Sequence, residues 1–290
     1  MKKALLIILL LESSCRFHFK TTTDNFSATK NQSSIENGKN LVFNICGGCH
    51  YNQSAGKFIG QSLNDLPSIA GHLYSANLTN STLYGIPTRY TDAELFYLLK
   101  TGISKNGVFM PFMMRPMMAD ADVNDIIIYL RSGDAPVAAA DTTVGKTHIN
   151  MIGRMGIRAI AHPQPYTRNV SRPAENDPVA NGRYLVAIIG CFHCHSEKVS
   201  KLNFLEPEKT KGYMKGGIKV KDPDGHKLVA PNLTSDKETG IGTFTRDEFA
   251  KAVREGITKG GRKLRPPMDK FSHLTDRQVN DIYSYLQSLP

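Results

Sequence analysis

Apolar side chains recur every three or four residues in several segments of the chain, which is the spacing of one face of an α-helix. The first such segment in each half opens with the same pattern, Asn-Gly-basic-x-Leu-Val, at residues 37–42 and 181–186. The last segment of each half, 122–131 and 276–289, also carries an apolar stripe. Nowhere do apolar and polar residues alternate over a long stretch, as they would in a half-buried β-strand. The pattern therefore predicts an all-α fold.

The remaining matches between the halves predict two related units, 37–134 and 177–290. Asn-Leu-Thr occurs at 77–79 and 232–234, and Gly-Ile begins eight residues after the Asn in both. Several helices should begin with a capping box, in which a Thr and an acidic or amide residue three positions later satisfy the free amides of the first turn. The boxes are Thr91 with Glu94, Thr245 with Glu248, and Thr275 with Gln278.

The segments outside these units differ in composition. Residues 1–14 predict an export signal, because two lysines precede a short apolar run that ends in small residues. Residues 15–36 predict a polar tether, and residues 135–176, with four prolines, predict a linker. Cys15 follows two serines, as in a bacterial lipoprotein; an ordinary cleaved signal with an incidental cysteine is the alternative. We expect a periplasmic or cell-envelope location, with a lipid anchor if Cys15 is modified.

Four of the five cysteines lie in two copies of one motif, Cys46-Gly-Gly-Cys49-His50 and Cys191-Phe-His-Cys194-His195. Two thiols on one helical turn can each bond a haem vinyl group, and the adjacent His then lies under the iron. Disulfides or a zinc site would leave the histidines without a role, and a thioredoxin-like pair needs a βαβ context. The motifs predict two covalently bound c-type haems, with His50 and His195 as proximal ligands.

A methionine sixth ligand is expected from the loop before the last helix of each unit. In the second unit this is Met268, within Pro-Pro-Met. In the first unit five methionines crowd the loop at 110–118. Alignment from the start of the loop favours Met114, and alignment from the last helix leaves no Met there. We predict Met113, with Met114 and Met110 as alternatives.

These residues resemble the cytochrome c subunits of bacterial membrane-associated dehydrogenases, such as those for alcohol and gluconate. The resemblance implies two tandem class I cytochrome c domains, joined by a Pro-containing linker, that transfer electrons at a membrane face or in the periplasm. It also implies that the first and last helices of each domain cross, with Gly38 near Tyr129 and Gly182 near Tyr285. Those subunits usually carry three haems, whereas this chain has two motifs and no tryptophan.

The formal net charge is +10, and the basic excess lies mainly in the second unit, where 19 Lys and Arg face 14 Asp and Glu. Five cations at 254–265 precede Met268 and predict a docking face for an acidic redox partner, such as a dehydrogenase or a terminal oxidase. A solvated basic surface is the alternative. Nucleic acid is not expected as a partner. A haem enzyme of the dihaem peroxidase or thiosulfate-oxidising type is the alternative function, and it requires an open sixth position.

Overall fold

The computed structural model describes residues 18–63 and 68–290, so the predicted export signal and Cys15 lie outside the described residues. Within them, α-helices form the frame of both halves. The helices are α1 (Ser34–Leu41), α2 (Gly47–His50), α3 (Ile86–Arg89), α4 (Asp92–Thr101), α5 (Asp120–Leu130), α6 (Met151–Ile160), α7 (Pro178–Ile189), α8 (Arg246–Glu255) and α9 (Asp276–Gln287). A π-helical turn, Val42–Cys46, joins α1 to α2. In the described ranges, no helix has both the length and the apolar character that a membrane span needs.

The predicted capping boxes are present at the starts of α4, α8 and α9. In α4 the Thr91 hydroxyl accepts a hydrogen bond from the Glu94 amide (3.2 Å), and the Glu94 carboxylate accepts one from the Thr91 amide (2.8 Å). Helices α4 and α8 end at Gly102 and Gly256, whose φ angles of 76° and 73° place them in the left-handed conformation of a helix C-cap.

In each half the first helix crosses the last one at a glycine. A Cβ on Gly38 would lie 2.1 Å from the Asp125 carbonyl oxygen and 2.7 Å from Tyr129 Cβ, and Gly182 faces Asp281 and Tyr285 in the same way. The expected contacts of these glycines with the two tyrosines are confirmed. The core of each half forms around this crossing of α1 with α5 and of α7 with α9.

The all-α prediction is wrong, because two small antiparallel sheets are also present. One has the order β1 (Ser62–Leu63), β2 (Gly71–Tyr74) and β3 (His148–Ile149); the other pairs β4 (Lys219–Lys221) with β5 (Lys227–Val229). β3 joins β2 through pairs such as His72 with His148, so its partner is remote in sequence. β4 and β5 flank Asp-Pro-Asp-Gly, a turn sequence that indicates a hairpin. The alternation of apolar and polar residues in these strands is only three residues long.

The segment predicted to be a tether lies against the first half over its described length, and we call residues 18–33 the N-terminal strap. The Phe19 amide donates to the Gly107 carbonyl (2.9 Å), and the Ala28 amide donates to the Asp92 carboxylate (2.8 Å). Asp24 accepts hydrogen bonds from Tyr166 and Arg168 of the segment between the halves. Polar contacts therefore hold the N-terminal strap to the first half and to the segment between the halves.

The two halves pack against each other close to both Cys-x-x-Cys-His motifs. Tyr184 of α7 donates a hydrogen bond to the Asp122 carboxylate at the start of α5. On the other side, Phe43 stacks on the His273 ring with centroids 3.9 Å apart. A Cβ on Gly48, inside the first motif, would lie 2.0 Å from Asp269 Oδ2. The loop that carries Met268 thus reaches the first motif.

Candidate haem-attachment sites

His50 and His195 have the same surroundings in the two halves. His50 Nδ1 lies 2.7 Å from the Ala76 carbonyl oxygen, and His195 Nδ1 lies 2.9 Å from that of Pro231. A ring whose Nδ1–H donates to a carbonyl is held in place with Nε2 left as the ligand atom. Burial lowers the pKa of both rings, so each is neutral at neutral pH, as metal ligation requires.

Cys46 is buried and Cys191 is half-buried, and burial raises the pKa of each thiol to about 12. In the first motif Cys46 ends the π-helical turn, and Cys49 and His50 follow on α2. All three therefore lie on one uninterrupted helical segment. A thioether sulfur carries no charge, and it therefore suits an apolar environment in which a thiolate is unfavourable. The donor set of each motif fits a covalently attached haem.

The chain after each motif is tied back by matching hydrogen bonds. The Gly60 amide donates to the His50 carbonyl, and the Gly216 amide donates to that of His195, both at 2.9 Å. Two residues earlier, Phe58 and Met214 accept from the amides of the Asn-Leu-Thr leucines, and both side chains are fully buried. Met214 therefore occupies the packing position in the second half that Phe58 occupies in the first. Because Met214 has this packing role, Met268 is the better candidate ligand of the second half.

The methionine loops also match in their hydrogen bonds. The Met110 amide donates to the Gly102 carbonyl, and the Leu264 amide donates to that of Gly256, both at 2.7 Å. Four residues later, Met114 and Met268 each donate to the carbonyl three positions before, at 3.2 Å. This register pairs Met114 with Met268, and Met114 is fully buried whereas Met110 is 40% exposed. Met113 is partly buried against the core.

Arg115 and His193 are two residues of this region whose position sequence reasoning missed. His193, a spacer residue of the second motif, packs between Phe192 and Phe204 with ring centroids 4.4 and 5.3 Å away. Burial, together with the charge of Arg115, lowers the pKa of His193 to about 3. Arg115 directly follows Met114, and its Nε donates to the Ile188 carbonyl of the other half (2.7 Å). The only feature of Arg115 that the sequence itself singles out is its position among the methionines of residues 110–118.

Comparison with known proteins identifies the first half. Residues 35–134 match the family model for cytochrome c. Residues 35–134 are therefore similar to a cytochrome c domain. The whole chain is 29% identical over 285 residues to the fructose dehydrogenase cytochrome subunit of Gluconobacter japonicus, covering 92% of this chain and 55% of that protein.

Two further relatives of the chain are also dehydrogenase cytochrome c subunits. The alcohol dehydrogenase (quinone) subunit of Gluconacetobacter polyoxogenes is 27% identical over 258 residues, covering 84% of this chain and 53% of that protein. The gluconate 2-dehydrogenase subunit of Pantoea cypripedii is 31% identical over 137 residues, covering 47% of this chain and 26% of that protein. The resemblance drawn from the sequence is confirmed.

The family match supports the coarser part of the functional prediction, an electron-transfer haem protein with covalently bound haem c. The chain spans about half the length of the first two relatives.

Proposed function

We propose that this chain is a cytochrome that carries two haems c, one in each of the units 37–134 and 177–290 that flank the linker 135–176, and passes electrons between two redox partners. The observation that carries the proposal is the shared arrangement of His50 and His195. Each is buried, with Nδ1 within 2.9 Å of a backbone carbonyl oxygen, directly after a Cys-x-x-Cys pair. The second motif thus offers the same donor set as the first, which lies in the matched cytochrome c domain.

The roles of the ligands follow from these positions. Cys46, Cys49, Cys191 and Cys194 would hold the two haems, and His50 and His195 would ligate the irons from one side. We assign Met268 to the sixth position of the second site and Met113 to that of the first, with Met114 as the alternative that the hydrogen-bond register supports. Haem iron supplies a one-electron change between Fe(III) and Fe(II). A filled sixth position at both sites favours a carrier over a haem enzyme.

The haem number is tested by counting haems in protein produced in a host that attaches haem c. Wild-type protein should contain two haems by pyridine haemochrome assay and by intact mass. The double variants C46A/C49A and C191A/C194A should each contain one, and C15S, which leaves both motifs intact, should contain two. A C191A/C194A variant with the haem content of wild type would contradict a second site.

The carrier assignment is tested on the same holoprotein. If both sixth positions are filled, the oxidised protein is low-spin and binds added cyanide slowly. A high-spin haem that binds cyanide at once would instead favour the haem-enzyme alternative.

We further propose a dehydrogenase or a terminal oxidase as redox partner, in the periplasm or cell envelope, with lipid attachment at Cys15. The relatives named above are dehydrogenase subunits, which supports the partner class. Cell fractionation and the mass of the mature N-terminal peptide test the location and the lipid.

The basic residues before Met268 form the second part of the partner proposal. Arg254 pairs with Asp276 (2.7 Å), Lys259 with Glu248 (3.5 Å) and Arg265 with Asp222 (3.0 Å). Arg262 and Lys263 are exposed and have no ion pair among the described residues. They are therefore the cations that we assign to docking of an acidic partner.

A further inference from the structure

Arg115 reaches from the methionine loop of the first half into the second half. Its backbone amide donates to the Leu99 carbonyl (2.6 Å), which fixes the residue behind Met114. The side-chain Nε donates to the Ile188 carbonyl at 2.7 Å, and Nη1 donates to the carbonyls of Met114 (2.8 Å) and Phe112 (3.1 Å). The guanidinium is therefore held in one place by three backbone oxygens from two halves of the molecule.

No carboxylate among the described residues forms an ion pair with Arg115, whereas Arg131, Arg172 and Arg183 each pair with an Asp or Glu. A guanidinium cannot lose its proton at accessible pH, so the charge persists. Keeping a half-buried, uncompensated cation costs solvation free energy that carbonyl dipoles only partly replace. Such a charge suits a place where an added electron would need stabilisation.

The position of Arg115 relates it to both motifs. Ile188 lies three residues before Cys191, and a narrow crevice between the halves is lined by Arg115, Met114, Ile188, Phe192 and His193. On the side of the first motif, Nη1 is held by carbonyls of the methionine loop that is expected to face the first haem, and the charge opposes the burial that raises the pKa of the Cys46 thiol. One cation thus lies within electrostatic range of both Cys-x-x-Cys-His segments.

We propose that Arg115 is a positioning residue shared by the two haem sites, whose fixed positive charge raises the reduction potential of both. The proposal rests on the proposed function, since it needs a haem at each motif. Reduction adds one negative charge at a site, and a nearby cation in a medium of low dielectric constant favours the state with that charge. An electron arriving at either site therefore meets the same stabilising charge.

The test is a spectropotentiometric titration of the two-haem protein and of three variants. Arg115→Met removes the charge, Arg115→Lys keeps it, and Arg246→Met removes an exposed cation at the start of α8 as a matched control. We expect Arg115→Met to lower the reduced-to-oxidised ratio of both haems about tenfold at fixed ambient potential, equivalent to about 59 mV for a one-electron couple. Arg115→Lys should recover most of this shift, and Arg246→Met should show little.

A sign control comes from Asp269, which lies against Gly48 of the first motif. Asp269→Asn should raise the potential of the first haem, opposite to Arg115→Met. The haem content of every variant is measured first, so that a lost haem is not mistaken for a shifted potential.

The outcomes separate the two proposals. Wild-type protein with fewer than two haems overturns the proposed function. Two haems with potentials that Arg115→Met leaves unchanged overturn the role of Arg115 alone. A shift in only one haem overturns the sharing, and equal shifts in Arg115→Lys and Arg115→Met overturn the role of charge.

Discussion

Gly38 and Gly182 show how a single hydrogen atom permits a helix crossing. Alanine normally favours a helix over glycine by about 1 kcal/mol. Here the added methyl would lie 2.1 Å or less from a backbone carbonyl oxygen of α5 or α9, and a backbone atom cannot turn aside as a side chain can. We expect Gly38→Ala and Gly182→Ala each to lower the free energy of unfolding by about 1–3 kcal/mol, the usual cost of overpacking.

Gly156 in α6 provides the matched control for that prediction. A Cβ on Gly156 would meet no atom within 4 Å, so Gly156→Ala should be neutral or stabilise the protein by up to about 1 kcal/mol. Denaturant unfolding of the three variants measures the difference. Gly38→Ala and Gly182→Ala proteins as stable as Gly156→Ala would show that the helices can separate at the crossing without cost.

The sixth ligand of the first site is a second question at the scale of one residue. Leu and Met have similar volumes, so Met→Leu changes in this loop should keep the packing and remove only the thioether. We expect Met113→Leu to abolish the Met–iron charge-transfer band of the first haem and to lower its reduction potential. Met110→Leu should leave both unchanged, since Met110 is 40% exposed. Loss of the band in Met114→Leu instead would transfer the role to Met114.

At the scale of elements, the Asp24 carboxylate links the N-terminal strap to the segment between the halves. The hydrogen bond from Tyr166, followed by those from Asn25 and Arg168, lowers the pKa of Asp24 below 3.8, against the effect of burial. A lowered pKa means that the stabilisation is complete above the unfolded value and is lost as the pH falls through the folded one. Asp24→Asn should therefore loosen the N-terminal strap at neutral pH, and acid should loosen the wild type.

Hydrogen exchange reports this loosening directly. The Ala28 and Thr29 amides, which donate to Asp92 and Asn124, should lose protection in Asp24→Asn and in wild type at low pH. Glu36→Gln, at an exposed position of α1, is the control and should change neither amide. Protection of Ala28 that is the same in Asp24→Asn and wild type would mean that the other contacts suffice to hold the segment.

The elements that were predictable from sequence are those fixed by neighbours in the chain. A capping box needs two residues three positions apart, and all three predicted boxes are formed. The short strands were missed because β2 and β3 pair residues remote in sequence, such as Gly71 with Ile149, and their register has no local signal. The hairpin of β4 and β5 does have a local signal, the turn at Asp-Pro-Asp-Gly, and was therefore predictable from the sequence.

At the scale of the whole molecule, the contact between the two halves could not be predicted from the sequence. The Cys-x-x-Cys-His motifs are local, and each motif histidine is buried with Nδ1 beside a backbone carbonyl oxygen. The bond from Arg115 to Ile188 joins residues 73 positions apart, and no periodicity or motif announces it. Pairs of this kind depend on how two packed surfaces meet, which a single sequence does not express.

The distribution of charge leads to a prediction about association rates. Attraction between a basic surface and an acidic partner accelerates encounter, and added salt screens it over about 10 Å at 0.1 M. If Arg262 and Lys263 guide docking, the charge-reversal variant R262E/K263E should reduce the acidic partner slowly at low salt and lose most of the salt dependence. K237E/R246E reverses two exposed cations elsewhere in the same half and should keep the wild-type slope, because docking depends on where the charge lies. Stopped-flow reduction across a salt series measures both slopes, and a normal slope in R262E/K263E would place the docking surface elsewhere.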